Sequence, residues 1–445
     1  MNMRIAAKPA RAITAAQAAG FVRSGMWLDY ATGPCQPDVF DRALAARKAA
    51  LSNVKIRSCL SMKPRAVLEC DPEGGHFFMF SLHFSGYDRK MSDAGRCNYI
   101  PVNLGEIPDY YRRFIDPVDI AVIKTCPCDE NGYFSFSIMN LWHRAVIERA
   151  KTVIVEVSRG LPAVCGVDNG VHISEVDYII QGDDLPAAEL PNPPPCEVDR
   201  AVARRIASEV EDGACLQIGI GAMPNAVCAL LLEFGVRNLG VHTEMLVDGI
   251  GDLYRAGLIS GGGKALDPGK IVYSFALGSK SLYQTIERNP DFLCYATDYT
   301  NLPHNIMRND GVISINNTTQ IDLQGQASSE SDGHRHISGT GGQLQFVRGA
   351  YASNGGKSFI CLASTYDKRG ERRSRIVLNL TPGNIVTTPR SDIMYVVTEY
   401  GMVNLKGRSV AERAKALIGI AHPDFRESLE REAYEHRLIP RGVTF

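Results

Sequence analysis

The chain has 445 residues, 45% of them apolar, with 48 Lys and Arg against 49 Asp and Glu and a formal net charge of -1. That length exceeds one ordinary core and calls for two domains, and the balanced charge leaves no basic field for non-specific nucleic-acid binding. The longest apolar stretch, residues 226–234, falls short of the roughly 20 residues that span a bilayer, so the expectation is a cytoplasmic protein with neither a membrane nor a nucleic-acid partner.

In chain order, the opening segment MNMRIAAKPARAITAAQAAGFV lacks the apolar core of a signal peptide and is expected to form the first helix of the fold. Gly25 then serves as a C-cap candidate, followed by a β-like run, a turn through Pro37 and a second helix. The same sequence of features, with Gly213, a β-like run, a turn through Pro224 and a helix, returns about 190 residues later. Asn53 in SNVKIRSC matches Asn238 in RNLGVHTE, FFMFSLHFSG matches IVYSFALGSK, and VDIAVIKTC matches DGVISINNT.

This pattern predicts an α/β fold of two tandem pseudo-duplicated α/β domains, each with a largely parallel sheet. Residues 182–199 hold five prolines, which suit a semi-rigid linker, and the domains are placed at 1–190 and 191–445. A C-terminal helical stretch, SVAERAKALIGIAHPDFRESLEREAYEHR, is interrupted at Pro423.

Twelve cysteines without a CxxC spacing read as small buried hydrophobes in a reducing compartment, as at Cys228, Cys294 and Cys361. The close pair Cys126 and Cys128 lacks the spacing of a zinc site, and His334-Arg335-His336, without a matched carboxylate or Cys, reads as a surface loop, so no metal is expected. Residues 368–375, KRGERRSR, read as a solvated hairpin loop whose charge also suits a phosphorylated ligand.

A duplicated scaffold with one active site is expected to carry its chemistry where the second copy gains a reactive group. The aligned positions after the second strand are Cys59 and Glu244. A strand end in an open parallel sheet borders the ligand crevice, where a carboxylate serves as nucleophile, general base or ribose ligand; a solvated Glu, or one paired with an Arg, is the plainer alternative. The strand-to-helix turn GIGAMPN, residues 219–225, presents backbone amides to an anion. SGTGGQ, residues 338–343, allows close backbone approach to a ligand. An acid 23 positions after Gly221 also imitates a dinucleotide-binding fingerprint, with Pro224 standing where its third glycine belongs.

With LQIGIGAMPNAV, VHTEMLVDG, ATDYTNLP, ISGTGGQLQFVRGA and AERAKALIGIAHPDF in that order, the sequence resembles the acetyl-CoA hydrolase/transferase family, and within it the class I CoA-transferases of the 4-hydroxybutyrate, butyrate and itaconate type. The resemblance implies a two-domain homodimer that moves CoA from acetyl-, butyryl- or succinyl-CoA to 4-hydroxybutyrate, butyrate or itaconate, with Glu244 becoming a glutamyl-CoA thioester. It further implies Asn301 orienting the glutamate, oxyanion donors at Ile220 and Gly342, and CoA contacts at Gly221, Ala222, Met223, Pro224, Asn225, Gly342 and Lys368. CoA is then substrate and covalent intermediate, and no separate cofactor is implied. An acyl-CoA hydrolase on the same scaffold and an NAD-dependent dehydrogenase are the alternatives. A dicarboxylate acceptor needs a cation, for which Arg57, Lys63 and Arg65 are the candidates.

Overall fold

The structure is a computed structural model that describes residues 9–442. The chain divides into two compact units, one of Met1–Leu190, Val272–Thr300 and His336–Gly341, the other of Pro191–Ile271, Asn301–Arg335 and Gly342–Phe445. The expected first helix begins later than the chain itself: Thr14 and Gln17 form a capping box that opens α1 (Ala15–Ala19), and residues 1–8 of that expectation lie outside the described residues.

In the first unit, eight strands form one sheet: β1 (Arg11–Ala12), β2 (Trp27–Tyr30), β3 (Val54–Ser58), β4 (Phe77–Ser81), β5 (Cys97–Tyr99), β6 (Ile120–Thr125), β7 (Thr152–Val157) and β8 (Tyr178–Gln181). Their order across the sheet is β1-β8-β7-β6-β2-β3-β4-β5, and every pairing is parallel. Near-continuous β-branched runs such as IAVIKT and TVIVEV suit strands covered on both faces. Leu28, Ile56, Met79, Val122 and Ile154 join Phe40 and Leu44 of helix α2 (Asp38–Ala45) in one core.

The second unit repeats the plan. β9 (Cys215–Ile218), β10 (Gly240–His242), β11 (Val312–Asn317), β12 (Lys357–Cys361), β13 (Tyr395–Thr398) and β14 (Gly401–Asn404) lie in the order β10-β9-β11-β12-β13-β14. The pairings are parallel except for the antiparallel edge strand β14. Strands β3-β2-β6-β7-β8 thus correspond to β10-β9-β11-β12-β13. The backbone agrees in detail. Gly25 and Gly213 have φ 82 and 83, and Asn53 and Asn238, the matched asparagines, have φ 53 and 59, a left-handed conformation that Gly and Asn tolerate best. Helices α3 (Val410–Gly419) and α4 (Pro423–Glu435) follow, with Pro423 starting the second where its missing N–H does no harm. No helix among the described residues is long and apolar enough to cross a membrane.

The ladders also align individual residues. Trp27 pairs with Lys55 and Leu28 with Ile120, as Cys215 pairs with Gly240 and Leu216 with Ile313. Cys59 therefore corresponds to Glu244, each four residues further along. Thr152 on Ile120 and Lys357 on Ile313 likewise align Glu156 with Cys361 and Lys124 with Asn317.

That last pair separates the two halves chemically. In the first unit the buried Glu156 carboxylate caps α2, accepting hydrogen bonds from the amides of Asp38 at 2.9 Å, Val39 at 3.1 Å and Phe40 at 2.9 Å. The helix N-terminus thereby receives its anion from within the chain. Lys124 donates to Asp38 at 2.6 Å and Arg65 to the other Asp38 oxygen at 2.8 Å. Burial opposes the charged form of Asp38, yet Arg65 and Lys124 hold its carboxyl well below the usual range. In the second unit Cys361 and Asn317 stand at the corresponding positions. Glu156→Ala should strip three buried helix amides of their acceptor and cost about 3–5 kcal/mol in urea unfolding, with Glu156→Gln losing less.

Candidate active site

Strand β9 ends at Ile218 and turns sharply through Gly221, whose φ of 124 favours glycine, into helix α5 (Ala222–Phe234). The N-cap residue Gly221 offers no side chain to cap this helix, and Pro224 in the first turn has no amide to present. The Ile220 carbonyl accepts a hydrogen bond from Asn317 Nδ2 at 3.4 Å, which ties the turn to the end of β11. The Ile220 side chain is 49% exposed.

One strand over, β10 runs through His242 and the buried Thr243 to Glu244. Thr243 Oγ1 donates to the Met245 carbonyl at 3.0 Å and fixes the turn in which Glu244 sits. Adjacent strands lie about 4.8 Å apart, so the Ile220 turn and the Glu244 turn are neighbours at the same sheet edge.

The Glu244 carboxylate has two donors. Asn301, itself fully buried, donates from Nδ2 to Oε2 at 2.5 Å, and the Gly342 amide supplies the second hydrogen bond. A Cβ at position 342 would collide with both Glu244 Oε2 and Asn301 Nδ2, so the glycine is required by close approach. Burial pushes the Glu244 carboxyl up from 4.5 to about 7, with the Asn301 and Gly342 hydrogen bonds pulling the other way. The plainer expectations, a solvated Glu or one paired with an Arg, do not describe this residue. Among the described residues, no group of three or more His, Cys, Asp and Glu side chains is arranged to hold a metal ion.

Three residues singled out in the sequence, Glu244, Asn301 and Gly342, therefore meet directly. Gly221, Ala222, Met223 and Asn225 form the adjoining turn and helix start with Ile220 and Pro224. Lys368 lies apart from that cluster on the hairpin Thr365–Lys368/Glu371–Ser374, where its Nζ faces Asp332 Oδ2 at 3.4 Å. The cysteines Cys228, Cys294 and Cys361 are buried, and burial pushes the first two thiols up to about 12.

The candidate acceptor cations need correction. Arg57 is 4% exposed and grips Asp29 through two hydrogen bonds at 2.8 and 2.7 Å, because the ladder places the two side by side on β3 and β2. Arg65 is buried on Asp38, and Lys63 faces the same carboxylate at 3.4 Å. Arg57 and Arg65 are thus internal counter-ions. Sequence reasoning missed Thr243 and Asn317; the polar run NNTT directly after VISI was the signal for the latter.

The raised Glu244 pKa fixes a sign for stability. The folded state holds this proton more tightly than the unfolded chain, so its contribution is present at low pH and is lost as pH rises from about 4.5 through about 7. Glu244→Gln should therefore melt at a higher temperature than wild type at pH 8, by on the order of 3 kcal/mol at most, and match it near pH 4. Gly342→Ala should lower turnover about 100- to 1000-fold, the usual cost of losing a positioned donor, as read by steady-state kinetics.

Comparison with known proteins identifies the family. The acetyl-CoA hydrolase/transferase N-terminal domain matches residues 6–191, and the C-terminal domain of the same family matches residues 278–433. A butyryl-CoA:acetate CoA-transferase from Anaerostipes caccae is 45% identical over 432 residues, spanning 96% of this chain and 97% of that protein. A 4-hydroxybutyrate coenzyme A transferase from Clostridium kluyveri is 44% identical over 357 residues, spanning 80% and 82%. The crystal structure of RipA from Yersinia pestis superposes with a TM-score of 0.86 at 35% identity, covering 96% of this chain and 98% of that one. The chain belongs to the acetyl-CoA hydrolase/transferase family, as an enzyme of its CoA-transferase kind.

Proposed function

We propose that this enzyme moves CoA between a short-chain acyl-CoA and a small monocarboxylate by ping-pong exchange, with Glu244 as the covalent carrier. The observation that carries the reading is a carboxylate met by two neutral donors, Asn301 and the Gly342 amide, with burial pushing it up to about 7. Such a group is more basic, and so more nucleophilic, than an ordinary carboxylate, yet remains ionised in half or more of the molecules above about pH 7.

In this mechanism Glu244 attacks the acyl-CoA carbonyl and expels CoA thiolate, leaving an acyl-glutamyl anhydride. The thiolate then attacks the Glu244 carbonyl carbon, releasing the donor acid as its carboxylate and leaving glutamyl-CoA. The acceptor carboxylate reverses the two steps, so every step exchanges one anion for another and no net proton is consumed. Asn301 already addresses Oε2, with the Gly342 amide a second donor to the same carboxylate, and both can stabilise the charge that develops when the Glu244 carbonyl is attacked; the Ile220 amide is assigned to the oxyanion on the acyl group. Amides of the first turn of α5 and Lys368 are assigned to CoA, the exposed Lys368–Asp332 pair being one that a phosphate can displace.

Monocarboxylates are the favoured acceptors because Arg57 and Arg65 are spent on Asp29 and Asp38 and two relatives are named for butyrate, acetate and 4-hydroxybutyrate, while a third, 40% identical, is named for propanoyl-CoA:succinate transfer. A ribose ligand role for Glu244, as in a dehydrogenase, fits poorly with a carboxyl half-protonated near neutrality. Incubation with butyryl-CoA should give a CoA adduct by intact mass that is absent in Glu244→Ala; activity surviving that substitution would sink the proposal. Rates with acetate, butyrate, 4-hydroxybutyrate and itaconate should fall for the dicarboxylate. CoA release in the absence of any acceptor would instead mark a hydrolase.

A further inference from the structure

Within the second unit, the strands that lead into the Gly219–Ile220 turn carry polar groups that the first unit lacks. Gln217 pairs with Ser314 as Asp29 pairs with Ala121, so Ser314 and Asn316 on β11 stand where β6 has Ala121 and Ile123. Ala121 and Ile123 are buried and apolar. Taking polar groups out of water in their place costs free energy unless each finds a partner, and an apolar pair would serve the sheet better.

The partners these residues find lock one another. Ser314 Oγ donates to Gln217 Oε1 at 2.7 Å. Asn316 Nδ2 donates to the same Gln217 oxygen at 3.2 Å and to Ser314 Oγ at 2.9 Å. Gln217 and Ser314 are both buried. Turning the Asn316 amide over would set its oxygen against Gln217 Oε1, acceptor against acceptor. The donor end of Asn316 is therefore spent on the triangle, and its Oδ1 retains only a contact of 3.5 Å from Gln217 Nε2.

Asn316 itself is half-buried. The pairing of Ile218 with Ile315, carried one residue on, sets Gly219 beside it, and the Gly219 amide donates to the Ile315 carbonyl at 3.2 Å as that register requires. Paired residues of a ladder project to one face, and Gly219 projects nothing. Apart from its chain neighbours, a Cβ there would meet only the Ile315 carbonyl oxygen, at 3.6 Å. A slot one side chain wide thus lies beside Asn316, next to the turn assigned to the acyl oxyanion and to CoA.

We propose that Asn316 is a substrate-binding residue whose Oδ1, left free by the triangle with Gln217 and Ser314, accepts a hydrogen bond from an amide N–H of the pantetheine arm of the CoA ester lying over Gly219. This rests on the enzyme acting on CoA esters. The arm carries two secondary amides between the thioester and the nucleotide. A fixed neutral acceptor beside a glycine suits such an uncharged, extended chain with N–H donors.

The test compares kcat/KM of Asn316→Ala and Gln217→Leu with wild type on the butyryl thioesters of CoA, pantetheine, N-acetylcysteamine and mercaptoethanol, the last of which has no amide. Both variants should lose about 3- to 10-fold with the CoA and pantetheine esters, the usual weight of one hydrogen bond, mostly through KM. Neither should lose anything with the mercaptoethanol ester, followed at high enzyme concentration. A matching loss with the N-acetylcysteamine ester assigns the contact to the amide nearer sulfur, and no loss there assigns it to the farther one. Should Gln217→Leu not fold, Asn316→Ala, at a half-buried site, gives the reading alone. A loss of equal size with all four esters would mark a structural role and overturn the proposal, as would no loss with any. Wild type that moves no CoA from butyryl-CoA to acetate overturns the CoA-transferase reading instead, and the Asn316 role falls with it.

Discussion

A carboxylate meant to attack a thioester must be dry enough to be basic and still paired well enough to ionise. Glu244 meets both demands with neutral partners. Burial lifts its pKa to about 7, and Asn301 and the Gly342 amide keep it from rising further. Asp38 shows the other outcome: Arg65 and Lys124 lock that carboxylate in its charged form and hold it well below the usual range. A cation beside Glu244 would do the same and quench its nucleophilicity. The close approach of Gly342, the buried amide of Asn301 and the Thr243 hydrogen bond that shapes the turn all serve that one constraint.

The duplication divides the work between its halves. Both sheets place a helix N-terminus beside the central strand, a natural anion site. The first half fills its own with Glu156 and spends Lys124, Arg65 and Asp38 on a buried ionic network. The second half has Cys361 and Asn317 at those positions and gains Glu244 where the first half has Cys59. One scaffold thus supplies a structural copy and a copy that carries Glu244.

Much of this was legible in the residues. The repeat could be read because its punctuation is sterically enforced: Gly25 and Gly213, and Asn53 and Asn238, all take positive φ, so residue type and backbone demand coincide. Glu244 was legible as the one reactive difference between aligned strand ends. The ionic network was not, because Asp38, Glu156 and Lys124 resemble surface charges until parallel strand register brings residues over 80 positions apart together. The same blindness to register made Arg57 look available when Asp29 lies directly beside it. Asn317 escaped notice because its role depends on a neighbouring strand, and a single hydrogen bond to the Ile220 carbonyl leaves no periodic trace.

Oxygen exchange tests the central claim, that one glutamate carboxylate shuttles the CoA, more directly than any rate. When acetate labelled with 18O accepts CoA through an acetyl-glutamyl anhydride, the bridging label should remain on the Glu244 carboxylate. The next turnover of butyryl-CoA should then pass about half of that label into the released butyrate, since either carboxylate oxygen can attack. Mass spectrometry of the Glu244 peptide and of the butyrate measures both. Label in the peptide and in butyrate is the predicted result; labelled acetyl-CoA with an unlabelled peptide and unlabelled butyrate would contradict the account.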